Sequence, residues 1–166
     1  MNAPAEQRNA PIDAARLAQA NINPATGLAS DYLNRFNEAI MLLEMLSACP
    51  DCLEDFLAWV PATYREHFAA SQFKDRELAI EAYDAADPAV RFRIDTLADA
   101  MTAMLEATRT AMCAGLPADT AAIIATHSAA SLKPLVAQAG AIINGETNAD
   151  ELTGTAQSAV DQLMKR

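Results

Sequence analysis

The amino-acid sequence predicts an all-α protein, a helical bundle of about four main helices with two or three short connecting helices. Alanine, the strongest helix former, supplies 38 of the 166 residues, whereas glycine supplies only 5. Good N-caps, Ser30 and Asp87, stand before the two strongest apolar repeats. The second repeat keeps the spacing of a packing seam over three heptads. These observations support one another, and such agreement is strong evidence for a fold.

Residues 1–29 are predicted to form a flexible N-terminal lead, followed by a single helical-bundle domain over residues 30–166. The lead contains three prolines and few large apolar side chains. One short helix from Asp13 to Ala20 is expected within it, and a turn follows at 23–27. Because little apolar surface anchors residues 1–25, we expect them to be dispensable for stability.

The first long helix is expected to begin at Ser30. Every residue from 39 to 46 except Glu44 is apolar. A helix that is apolar on nearly all sides is typical of a buried, central position. Pro50 fits the first turn of the next helix, and Pro61 ends that helix.

Two short connecting helices follow these in the sequence. Thr63 is the predicted N-cap of one that reaches Phe68, and another runs from about Lys74 to Ala86. Helices of this length depend on tertiary packing for their stability.

The clearest helix begins at Asp87-Pro88, an N-cap followed by a proline in the first turn. Its apolar side chains recur at spacings of three and four. They form a predicted packing seam of Val90, Ile94, Leu97, Met101, Met104, Thr108 and Met112. We expect Met101 and Met104 to be buried in this seam.

A helix from Pro117 to about Asn144 is predicted next, and Gly115 separates it from the preceding helix. Pro134 should kink or split it, because a proline inside a helix costs about 3 kcal/mol. A last, weakly amphipathic helix is expected from near Asn148 to the C-terminus.

The charge and hydropathy of the chain argue against nucleic acid and membrane as partners. The chain has 22 acidic and 12 basic residues, for a net charge of −10. Phosphate binding needs clustered lysine and arginine, and the only such cluster is the terminal Lys165-Arg166. No apolar stretch reaches the roughly 18 residues that a membrane crossing needs.

The cysteine content and the N-terminal sequence favour a cytoplasmic location. Three cysteines are an odd number for a disulfide framework, and the N-terminus lacks the apolar run of a secretory signal. Thiols in the cytoplasm stay reduced. Abundant alanine and scarce lysine are typical of a GC-rich bacterial genome.

None of the common catalytic or cofactor motifs occurs in the sequence. The glycines form no phosphate-binding or dinucleotide-binding loop, and the patterns G-x-S-x-G and H-E-x-x-H are absent. Neither histidine follows a glutamate at the spacing used by helical di-iron sites. We therefore predict no catalytic residue, no metal and no cofactor, and an enzyme is the least favoured class.

The pair Cys49-x-x-Cys52 is the one pattern that resembles a catalytic motif. At a helix N-terminus such a pair can cycle between dithiol and disulfide. Three neighbouring acids, Asp51, Glu54 and Asp55, oppose thiolate formation, so we expect reduced thiols that bind no metal.

Aromatic residues concentrate between positions 59 and 83, together with charged residues. Ligand sites combine aromatic walls with a few polar groups. The candidate ligand-binding residues are Trp59, Tyr64, Arg65 and His67.

The sequence favours a non-catalytic cytoplasmic protein that acts by binding, as a regulatory or adaptor protein or as a small-ligand module. Partners are expected to engage helix faces, in a homodimer or with another protein. The alternative is a thiol redox or metal-sensing protein that uses Cys49 and Cys52.

Overall fold

The structure, a computed structural model, describes residues 11–146. Within this range the chain forms seven α-helices and no strand. They are α1 (Ala14–Gln19), α2 (Asn34–Met45), α3 (Cys52–Ala58), α4 (Tyr64–Ala70), α5 (Arg76–Ala85), α6 (Pro88–Cys113) and α7 (Ala118–Ile143). A 3-10 helix, Ser30–Leu33, leads into α2. The all-α prediction is confirmed, and the helix expected near Asn148 lies outside the described residues.

The central helix of the packing is α7, which contacts both α2 and α6 extensively. Its buried residues include three alanines, Ala125, Ala129 and Ala139, and their small side chains allow neighbouring helices to approach closely. Pro134 lies exposed inside α7, and the helix continues through it. The predicted split therefore does not occur. Packing of the buried residues on either side of the proline stabilises the helix against its intrinsic cost.

The predicted seam of α6 is partly confirmed. Ile94, Met101, Thr108 and Met112 are buried, whereas Met104 and two other seam residues are only half-buried. Ala98 and Leu105 are buried in their place. The difference follows from helical geometry, because a straight helix of 3.6 residues per turn drifts relative to a strict heptad repeat.

Two of the three predicted N-caps are observed. The Asp87 carboxylate accepts a hydrogen bond from the Ala89 amide at 2.7 Å. Thr63 and Glu66 form a capping box at the start of α4. Ser30 instead begins the 3-10 helix, and no side chain caps either that helix or α2. The expectation of a cap at Ser30 was therefore wrong.

Residues 11–29 pack into the core, which corrects the predicted boundary of the flexible lead. Asp13 caps α1, as the short predicted helix requires. Leu17, Ile22 and Leu28 are all buried, and the Ile22 backbone pairs with Ala29 in an isolated antiparallel bridge. The segment has few large apolar side chains, but those three face inward. Residues 1–10 lie outside the described range.

None of the helices within residues 11–146 combines the length with the apolar character needed to cross a membrane.

Candidate functional site

Tyr64, a predicted ligand-binding residue, lies in the core. Its hydroxyl accepts a hydrogen bond from the Ala29 amide at 2.9 Å. Its ring stacks on Tyr83, with centroids 4.6 Å apart and an interplanar angle of 14°. Burial raises the pKa of the Tyr64 hydroxyl above its ordinary value. Tyr64 therefore packs α4 against α5 and the N-terminal segment, and its hydroxyl does not face solvent.

Arg65 and His67 lie on α4 and contact different elements. The Arg65 guanidinium forms an exposed ion pair with Asp84 of α5 at 2.5 Å. The Nε2 atom of His67 lies 3.0 Å from the Asp31 carboxylate in the 3-10 helix. Each of these side chains therefore has a partner within the protein, Arg65 on α5 and His67 in the 3-10 helix.

Trp59 is buried at the end of α3, where its indole N–H donates a hydrogen bond to the Arg35 carbonyl at 3.0 Å. The Arg35 guanidinium lies over the indole ring, 5.1 Å from its centroid. The same guanidinium donates a hydrogen bond to the Val60 carbonyl. Partial burial lowers the pKa of Arg35 from its ordinary value. These contacts fix the Trp59–Val60 segment against α2.

The two thiols of the alternative hypothesis are adjacent and unoxidised. Cys52 is buried in the first turn of α3, and Cys49 is half-buried just before it. A hydrogen bond with the Cys49 thiol raises the pKa of Cys52, and burial and the nearby carboxylates act in the same direction. Among the described residues, no group of three or more histidine, cysteine or acidic side chains could hold a metal ion.

A cleft of about 320 Å³ lies where the first turn of α4 meets the helices α5 and α6. Tyr32, Tyr83, Asp95, Asp99 and Glu66 contribute to its walls, and none of the four predicted ligand-binding residues does. The Tyr83 hydroxyl donates to Asp95 at 2.7 Å and the Tyr32 hydroxyl to the Ala62 carbonyl at 3.1 Å. Both tyrosine hydroxyls therefore already donate to groups within the protein.

A second, more open groove of about 600 Å³ runs between α2 and α3. We define the α2–α3 surface as the residues that line this groove together with the two exposed methionines of α2. Its members are Glu38, Met41, Leu42, Met45, Asp55, Ala58, Trp59 and Val60. The four residues from α2 follow a spacing of three, four and seven, so they share one helix face. Met41, Met45 and Val60 are 51%, 44% and 68% exposed. Val60 thus lines the groove, and Met41 and Met45 lie one helical turn apart on the α2 face that supplies Glu38 and Leu42 to it.

This surface carries more negative than positive charge, because Arg35, on the Trp59 ring and the Val60 carbonyl, is the one guanidinium beside several carboxylates. Residues 36–62 contain five acids and no lysine or arginine: Glu38, Glu44, Asp51, Glu54 and Asp55. Glu44 pairs with Lys133 of α7. Within residues 11–146, the other four make no ion pair, and all four are exposed.

The sequence interpretation anticipated only Trp59 of this surface. The apolar run 39–46 predicted a helix buried on nearly all sides, yet Met41 and Met45 face solvent. The signal that points to an exposed face is the absence of any basic residue from 36 to 62 beside repeated acids. Apolar character along the sequence does not distinguish a core position from an unpartnered surface.

Comparisons of the chain with protein-family models, with curated proteins and with solved structures found no match.

Proposed function

We propose that this protein is a non-catalytic cytoplasmic adaptor that binds a segment of another protein on the α2–α3 surface. The observation that carries the proposal is the exposure of Val60, which lines the groove, and of Met41 and Met45 on the α2 face that also supplies its lining residues Glu38 and Leu42. Contiguous exposed apolar groups are typical of protein interaction sites. Methionine suits such a surface because its flexible thioether adapts to different partner side chains.

The groove is supported by contacts that keep its wall in place before any partner binds. Arg35 holds the Trp59 ring and the Val60 carbonyl at once. A preformed site avoids part of the ordering cost of association. Val60 is therefore presented to solvent by a constrained segment.

Three alternatives have less support. The tyrosines of the smaller cleft donate their hydroxyl protons within the protein, so a small ligand would compete with those bonds. The raised pKa of Cys52 disfavours the thiolate that redox chemistry and metal binding both need. A homodimer through this surface would bring two acidic faces together, which like-charge repulsion opposes.

The test is selection of binding peptides from a random display library against the full chain. Peptides that bind the wild type should bind the variant Met41→Ser/Met45→Ser at least about 10-fold more weakly, the equivalent of 1.4 kcal/mol. The matched control is Phe92→Ser, which removes an apolar side chain that is 72% exposed on α6, outside this surface. That control should bind normally.

Two results would contradict the proposal. Selected peptides that bind the methionine variant as well as the wild type would place the interaction elsewhere. Sedimentation that reveals a dimer, with dissociation in the methionine variant alone, would assign the surface to a second copy of the chain.

A further inference from the structure

We infer that the segment recognised by the α2–α3 surface is a basic amphipathic helix. This inference rests on the proposed function and adds the charge and conformation of the partner. It follows from the charges around the surface, from the absence of a strand edge and from the spacing of the exposed side chains.

The net charge of the surface favours a basic partner, because the four carboxylates without an ion pair among the described residues outnumber the Arg35 guanidinium. Glu38 and Asp55 line the groove itself, and Asp51 and Glu54 are exposed on the adjoining turn and first turn of α3. Complementary charge steers association and excludes like-charged partners. Apolar anchors of a partner would therefore enter between the methionines while flanking lysine or arginine side chains reach the carboxylates.

The backbone geometry selects a helix. The groove is lined by the helices α2 and α3, whose amide and carbonyl groups are largely bonded within each helix, and by the Trp59–Val60 segment that follows α3. In that segment the Trp59 amide donates to the Phe56 carbonyl and the Val60 carbonyl accepts from Arg35. In the part of the chain that the structure describes, no strand edge offers hydrogen bonds to an extended peptide. A partner that satisfies its own backbone hydrogen bonds, as a helix does, suits a surface of side chains alone.

The dimensions agree with a short helix. Glu38 and Met45 lie seven positions apart, or about 10 Å along α2, since a helix rises about 1.5 Å per residue. Trp59 is buried and presents little of its ring. The aromatic-lined groove that recognises extended proline-rich segments is therefore not available here.

The experiment compares three synthetic helical peptides of about 18 residues, long enough for helicity, that share one apolar stripe. Their polar faces carry lysine and arginine, glutamine, or glutamate. Binding to the full chain is measured by fluorescence anisotropy at two salt concentrations. We expect the basic peptide to bind at least about 10-fold more tightly than the glutamine peptide, with the acidic peptide weakest.

Matched charge variants test whether the carboxylates of the α2–α3 surface cause the preference for the basic peptide. Glu38→Gln/Asp55→Asn should weaken binding of the basic peptide by about 3-fold to 10-fold, as expected for two solvent-exposed ion pairs. Glu77→Gln/Glu81→Gln makes the same change in net charge on α5, at two exposed residues outside the surface. That control should leave binding unchanged.

The outcomes separate this inference from the proposed function. Equal binding of all three peptides, lost in Met41→Ser/Met45→Ser, would overturn the basic partner and retain the adaptor. Binding only of non-helical peptides from the display library would overturn the helix alone. Binding of the basic peptide that persists in the methionine variant would show that its attraction to the chain is unspecific. If neither the three synthetic peptides nor any library peptide binds, both proposals are overturned.

Discussion

At Gly27 the backbone leaves no room for a side chain. Its φ is +71°, and an added Cβ would lie 2.8 Å from the Ala82 carbonyl oxygen of α5. We expect Gly27→Ala to lower the free energy of unfolding by about 1–2 kcal/mol for the left-handed backbone. Displacing α5 should cost about a further 1–3 kcal/mol. Chemical denaturation measures the difference.

Gly115 is the matched control for this substitution. Its φ is +72°, but nothing lies within 4 Å of the position of an added Cβ. Gly115→Ala should therefore show the backbone cost alone. Equal losses in the two variants would mean that the N-terminal turn moves away from α5 without penalty.

All three tyrosines are buried, and this predicts a sharp alkaline transition. Burial raises the pKa of Tyr32 and Tyr64 above the ordinary value of 10.0. Burial, followed by the hydrogen bond to Asp95, raises that of Tyr83 to about 12. A pKa raised in the folded state means that stability is complete below pH 10.0 and falls as pH rises through the folded values.

Ultraviolet difference absorbance, recorded together with circular dichroism, tests this expectation. Tyrosine ionisation should be delayed beyond pH 10.0 and should coincide with loss of helix above about pH 12, as the raised pKa of Tyr83 implies. One tyrosine that ionises near its ordinary pKa in the folded chain would show that its hydroxyl is accessible to water.

Among the elements, α7 contains the least favourable residue for its secondary structure. Pro134 is exposed within a helix of 26 residues. Removing an interior proline recovers up to about 3 kcal/mol, less about 1 kcal/mol for the freer unfolded chain. We expect Pro134→Ala to raise the free energy of unfolding by about 1–2 kcal/mol, measured by chemical denaturation.

Pro88 provides the control, because it lies at the start of α6, where proline is well tolerated. Pro88→Ala should not stabilise the protein. If Pro134→Ala is neutral or destabilising, α7 requires the proline for the fit of its buried face between α2 and α6.

The elements that the sequence predicts well are those specified by neighbouring residues. Thr63 and Glu66 cap α4 from three positions apart, and Asp87, the residue before α6, caps the first turn of that helix. The α2–α3 surface depends instead on distant contacts. Arg35 holds Val60 across 25 positions of sequence, and local patterns carry no information about such pairs.

At the scale of the whole molecule, the N-terminal segment shows the same limit. Its sparse apolar residues predict a lead that is dispensable, yet Leu17 and Ile22 are buried among the helices. The side chain of Thr26 reaches the end of α7, 117 positions away. The number of apolar residues underestimates how firmly a segment is anchored when a turn directs each of those side chains into the core, as the turn between Asn23 and Gly27 does.

Thr26 joins the N-terminal segment to the end of α7, and removing its hydroxyl tests how strongly the stability of the fold depends on that contact. The hydroxyl donates to the Ile143 carbonyl at 2.6 Å and accepts from the Leu28 amide at 3.4 Å. Thr26→Val keeps the shape and should cost about 1–3 kcal/mol, because buried partners lose a hydrogen bond. At about 2–4 °C per kcal/mol for a chain of this size, the Tm should fall visibly. Thr26→Ser keeps the hydroxyl and should cost only about 0.8 kcal/mol. Hydrogen exchange should accelerate around Leu28 and Ile143 together in the valine variant. A valine variant as stable as the serine variant would mean that apolar packing alone holds the N-terminal segment on α7.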